Sequence, residues 1–183
     1  PVWDGNEVWL VTAGGALFAG FPEIYATMLS AFYAPVMLLL TGLIFRAVAI
    51  EFRSKEEMSW WRWSWDIAFS LASLVITFVL GVMMANLIHG IELDETKEFV
   101  GQLSDLLHPY AFLLGTFVTT LFLMHGAIYV LMKTEGELHD KMRSRSHGCI
   151  IAFIITYTIT TMATLIYEPH MIETLRERPF FFI

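Results

Sequence analysis

A single cysteine, Cys149, stands in 183 residues. It excludes an internal disulfide and any thiolate metal cluster within the chain. Charge is scarce too. Only 16% of the residues are Asp, Glu, Lys or Arg, with 11 Lys and Arg set against 18 acids. The resulting net charge of −7 leaves no general basic surface, so no nucleic acid is expected as a partner. HExxH, paired-cysteine and Glu-x-x-His arrangements are missing, which removes the common sequence signatures of a metal site. The charged, Gly-containing stretch 133–141 lacks GxxxxGK[ST] and is not a phosphate loop. There is no low-complexity run and no convincing internal repeat.

What the chain has in abundance is apolar and aromatic surface. Hydrophobic residues make up 56% and aromatics 15%, and the mean hydropathy is +0.61. Soluble domains run nearer about 45–50% apolar. About five apolar segments follow in order, at 4–20, 22–45, 64–88, 109–132 and 146–167, and a helix needs about 20 residues to cross the hydrocarbon. They predict an all-α, polytopic transmembrane helix bundle forming one domain over 1–183. Pro35 is expected to kink the second segment. The threonines of the fifth, among them Thr156, Thr160 and Thr164, can bond back to their own helix or across to a neighbour. The chain opens at Pro1 inside a motif rather than at a methionine, so it is expected to be a fragment.

The connections alternate in charge. Arg46, Arg53, Lys55 and Arg62 lie in 46–63, and Lys133, Lys141, Arg143 and Arg145 in 133–145. Between 89 and 108, Lys97 stands alone among Glu92, Asp94, Glu95, Glu98 and Asp105. The positive-inside rule makes 46–63 and 133–145 cytoplasmic, with Asp4 on the same side. The tail after Glu168 is then outside, although Arg176 and Arg178 weaken the asymmetry there. Trp60, Trp61, Trp63 and Trp65 form an aromatic belt at the basic side.

Residues 1–22 carry the most unusual combination. Trp3, Asp4, Asn6, Glu7 and Trp9 crowd the opening turns, and Ala13, Gly14, Gly15 and Ala16 follow. The small residues would admit another helix or a flat cofactor close to the backbone. Capping by Asp4 and Asn6, with tryptophans anchoring at the interface, accounts for each residue singly. An ionisable group at the mouth of a membrane helix also has a functional reading, because a carboxylate can relay protons. Asp4 and Glu7 are therefore the proton-path candidates. Further along, Arg46 and Glu51 sit where the second segment leaves the membrane. Arg46 needs a partner or a route to water, so it is a candidate to hold a carboxylate of another subunit. His89, His108, His139, His147 and His170 are read as packing or boundary residues. His125 is the one histidine inside a predicted segment and a candidate partner contact.

The string WDGNEVWLVTAGGALFAGFP at 3–22 resembles the signature of subunit II of the cytochrome bd-type quinol oxidases. LIFRAVAIEFRSK at 43–55 and HGAIYVLMKTEGEL at 125–138 support that resemblance, in the right order along nearly the whole chain. It implies a non-haem-ligating second subunit of a membrane quinol:oxygen oxidoreductase. Haem b and haem d would belong to the haem-bearing subunit I, quinol would be the substrate, and membrane lipid would surround the pair in a prokaryotic plasma membrane. By the same resemblance Asp4 matches an acidic position on a cytoplasmic proton route, and Trp9 a tryptophan beside an apolar oxygen path. Trp3 is placed with Trp9 as a haem-proximal packing candidate. The family's first helix and last several helices would be missing here. A secondary transporter using Asp4, Glu23, Arg46 and Asp66 is the competing class, since a kinked helix and membrane carboxylates suit that chemistry too.

Overall fold

A computed structural model describes residues 3–95, 99–171 and 173. Lys97, Glu98, Arg176, Arg178 and the side chain of Trp3 lie outside the described residues. The helices are α1 (Trp3–Gly20), α2 (Pro22–Ala31), α3 (Tyr33–Phe52), α4 (Ser59–His89), α5 (Pro109–Lys133) and α6 (Glu137–Tyr167). Among the described residues there is no strand, only an isolated bridge between Leu93 and Phe99. The expected all-α class holds. Among the described residues four helices, α3 to α6, are long and apolar enough to cross a membrane. The opening segment forms α1, whose acidic start (Asp4, Glu7) dilutes its hydropathy.

The segment expected at 22–45 is two helices. The chain breaks at Phe32, fully buried with φ −101° and ψ 26°, and α3 then runs on to Phe52. Pro35 was expected to bend a continuous helix, but it lies in the first turn of α3. A proline is tolerated there because its missing N–H would have had no helical partner. Its ring excludes the carbonyl four residues back, at Ala31, which is where α2 ends. The basic connections also shrink. Since α3 reaches Phe52 and α4 starts at Ser59, the first turn is 53–58. Lys141, Arg143 and Arg145 ride on the opening turns of α6.

The contacts group into two compact units, one of residues 1–79 with 91–105, the other of 80–90 with 106–183. In the first, α3 and α4 cross where a Cβ on Gly42 would lie 2.7 Å from Cγ1 of Ile76. Beside this crossing runs an apolar groove of about 390 Å³ lined by Leu38, Phe45, Ile67 and Leu71. Arg53 and Asp66 join at 2.5 and 3.0 Å, and the Trp61 indole N–H donates to the Phe52 carbonyl at 2.8 Å. In the second unit, α4 and α5 approach so closely that a Cβ on Gly81 would lie 2.6 Å from Cα of Gly115. Glycine at both positions permits backbone contact. Along α5 and α6, Phe117 stacks on Phe153 at 5.8 Å and the Thr120 and Thr156 hydroxyls meet at 2.7 Å. The fifth segment's threonines therefore do both things expected of them: Thr156 also bonds back to the Ala152 carbonyl.

Candidate functional site

In the first unit, α1 and α3 bring two of the sequence candidates together. Arg46 Nε lies 3.6 Å from Glu7 Oε1, and their side chains retain 28% and 22% exposure. Three turns of apolar α3 precede Arg46, so its charge needs company. The guanidinium takes three neighbours. Nη1 donates to the Ser73 hydroxyl at 3.0 Å, the Phe69 ring lies under Cζ at 5.0 Å, and Glu7 faces Nε. Ser73 in turn donates back to the Phe69 carbonyl at 2.7 Å, which fixes its oxygen toward the arginine. The Glu7 and Arg46 atoms that face each other are both shielded from solvent, and neither has a hydrogen-bond partner. The contact is thus an ion pair held slightly beyond hydrogen-bond reach.

The other candidates stand apart from this pair. Asp4 is exposed in the first turn of α1, where a carboxylate suits the positive end of the helix. Trp9 is 72% exposed. A Cβ on Gly14 or Gly15 would meet nothing within 4 Å among the described residues, so the small-residue face of α1 is uncovered. Glu51 and His125 are exposed on α3 and α5. Asp66 is committed to Arg53. Arg46 was matched in sequence to a carboxylate of another subunit, and in the fold it faces Glu7 of its own chain. The signal for that pairing was present in the cost of an arginine near hydrocarbon. The partner was hidden because α1 and α3 are 39 positions apart at these residues (46 − 7).

A second polar cluster lies in the other unit and was not singled out in sequence. His89 ends α4, His108 precedes α5, and Glu168 and His170 follow α6. Glu168 is buried, its side chain 3% exposed, and its Oε1 accepts from His89 Nδ1 at 2.5 Å. His170 Nδ1 is 3.7 Å from Oε2, and its Nε2 donates to the Ile88 carbonyl at 3.1 Å. His108 lies against His89 with ring centroids 4.7 Å apart. Buried Asn86 donates from Nδ2 to the Val82 and Leu106 carbonyls at 2.8 and 2.9 Å, tying α4 to the chain just before α5. Histidines at successive segment ends on the acidic-loop side were the legible clue. Among the described residues, no group of three His, Cys, Asp or Glu side chains is arranged to hold a metal ion.

The sequence matches the family model described as cytochrome bd terminal oxidase subunit II over residues 1–182. It is similar to cytochrome bd-I ubiquinol oxidase subunit 2 of Escherichia coli K12, at 38% identity over 163 residues. That alignment covers 87% of this chain and 43% of the relative. Cytochrome bd ubiquinol oxidase subunit 2 of Bacillus subtilis 168 is 37% identical over 171 residues, covering 93% of this chain and 50% of the relative. A probable cytochrome oxidase subunit 2 of Haemophilus influenzae is 38% identical over 160 residues, 84% of this chain and 42% of the relative. The chain therefore spans half or less of the length of these relatives. With the match running through every helix described above, this chain is a multi-pass membrane protein that belongs to the cytochrome bd terminal oxidase subunit II family.

Proposed function

We propose that this chain is part of the second subunit of a respiratory quinol oxidase, which supports oxygen reduction to water without ligating the haems. Haems b and d are assigned to the haem-bearing partner subunit, as the resemblance to the family implies. Haem supplies the redox chemistry of such a complex; the residues of this chain are assigned to protons, packing and access. The uncovered face of α1 at Gly14 and Gly15 suits close packing by that partner. The basic connections 46–63 and 133–145 are assigned to the cytoplasm on the positive-inside rule.

The observation that carries this reading is the acidic opening of α1. Exposed Asp4 stands one turn before Glu7, and Glu7 is held by Arg46 in a largely desolvated pair. Two carboxylates at that spacing share a helix face, so a proton taken up by Asp4 has a second acceptor one turn deeper. The Arg46 guanidinium, 3.6 Å from Glu7 Oε1, holds that carboxylate in place beside α3. Trp9, on the same helix and exposed, is assigned to an apolar oxygen path beside the partner, and Trp3 to packing near it. Arg46, Glu51 and His125 remain the proposed partner contacts.

Oxygen consumption with quinol, measured on the full-length complex, tests these roles. Asp4→Asn and Glu7→Gln keep shape and remove a titratable group. Turnover is expected to fall by about 10²-fold where proton transfer limits the rate, with an unchanged haem spectrum. Full activity in a well-assembled Asp4→Asn complex would leave Asp4 as a helix cap only, since asparagine caps as well as aspartate. Trp9→Ala is expected to alter oxygen access without altering the pH profile. The family match favours this reading over a transporter, and a purified complex without haem absorbance would reverse that preference.

A further inference from the structure

We propose that His108 is a proton-operated N-cap: as the neutral ring it holds the first turn of α5, and as the imidazolium it releases it. The ring caps the helix by accepting the Ala111 N–H on Nδ1 at 3.3 Å. An N-cap has to be an acceptor, because the first backbone N–H groups of a helix have no partner within it. Asparagine, aspartate or serine can serve at any ordinary pH. Histidine serves only while one ring nitrogen keeps its lone pair. Since Nδ1 accepts, the neutral ring carries its proton on Nε2, which is buried and has no hydrogen-bond partner. Adding a second proton at Nδ1 turns the acceptor into a donor aimed at another donor.

The surroundings add to that cost. A cation at position 108 would sit at the positive end of a 25-residue helix. His89, from α4, faces the ring at 4.7 Å and would repel it when charged. Tyr110, from α5, stacks at 6.1 Å and adds no charge while its hydroxyl is protonated. Glu168, from the end of α6, works the other way, but His89 and His170 occupy its two oxygens. Burial, followed by the proximity of His89, holds the pKa of His108 below the ordinary histidine value, with Glu168 opposing. Acid therefore reaches His108 later than an exposed histidine, and when it does the Ala111 N–H is lost as a partner. Such a cap would make the start of α5 responsive to pH on the acidic-loop side.

Hydrogen exchange in the full-length protein in detergent, corrected for the intrinsic pH dependence of exchange, reads this directly. Protection of the amides at 110–113 should fall by about fivefold between neutral and mildly acidic pH, the fold-change matching loss of a typical cap. His108→Asn should keep that protection flat across the range. His89→Gln should move the midpoint to higher pH and Glu168→Gln to lower pH. Nitrogen shifts of the wild-type His108 ring give a check that needs no variant, because protonation at Nδ1 must share the midpoint of amide release. Flat protection in the wild type, a pH-dependent loss that persists in His108→Asn, or separate ring and amide midpoints would each overturn the proposal.

Discussion

Glu7 faces a guanidinium at 3.6 Å, whereas Glu168 takes a 2.5 Å hydrogen bond from an imidazole. Both carboxylates are largely withdrawn from solvent, yet their counter-groups differ in kind. Arg46 keeps its charge at any pH a cell meets. Glu7 therefore has a fixed cation beside it. Glu168 instead has two imidazoles beside it, accepting from His89 Nδ1 and lying 3.7 Å from His170 Nδ1. The two units thus give their carboxylates different counter-groups, a guanidinium for the partly exposed Glu7 and imidazoles for the more deeply buried Glu168. The same contrast runs through the helix crossings. Gly42 meets the movable side chain of Ile76, while Gly81 meets the backbone of Leu114 and Gly115.

The largest expected effect is at the fixed pair. Arg46→Ala leaves Glu7 shielded with no cation beside it, and breaking a buried pair costs about 3–5 kcal/mol. The residual exposure of both side chains reduces this to about 2–3 kcal/mol. Thermal unfolding in detergent should show that loss, and Arg46→Leu combined with Glu7→Leu should recover most of it. Equal losses in the single and double variants would mean that the pair itself is not the source.

Next is the backbone crossing. Gly81→Ala should destabilise by roughly 1–3 kcal/mol, because the new methyl meets main-chain atoms that cannot rotate away. Gly42→Ala should cost less, since Ile76 can change rotamer. A reversed order in denaturation midpoints would show that the two crossings do not differ in rigidity as described.

A smaller effect separates the units by pH. His108 has a folded pKa below the ordinary histidine value. The unfolded chain then binds more protons in that window, so stability is full above about pH 6.5 and declines as pH falls through it. His108→Asn should flatten this decline in unfolding measurements at stepped pH, while Arg46→Ala should leave its slope intact. A slope that follows the Arg46 variant would place the sensitivity in the wrong unit. The smallest effect is expected at Arg53 and Asp66, whose side chains are about half exposed at 51% and 53%. Their exchange for Ala should leave the unfolding temperature unchanged, because exposed ion pairs gain little over hydration.

Much of the fold was open to sequence because the bilayer imposes length and apolarity on each crossing. The cores of α4, α5 and α6 follow from hydropathy alone. So does the scarcity of charge that leaves Arg46 in need of a partner. The WDGNEVW stretch, the family and the candidacy of Asp4 and Glu7 were equally legible, since they rest on residue type and order. Tertiary structure decided what spacing cannot encode. It moved the break of the second segment from Pro35 to Phe32, through a proline ring acting on a carbonyl four residues upstream. It chose Glu7 as the acid Arg46 faces, a choice made by how α1 meets α3 rather than by proximity in the chain. It also gathered His89, His108, Glu168 and His170 from the ends of three helices. Each is an ordinary boundary residue in sequence, and only their convergence around one buried carboxylate gives them a shared electrostatic fate.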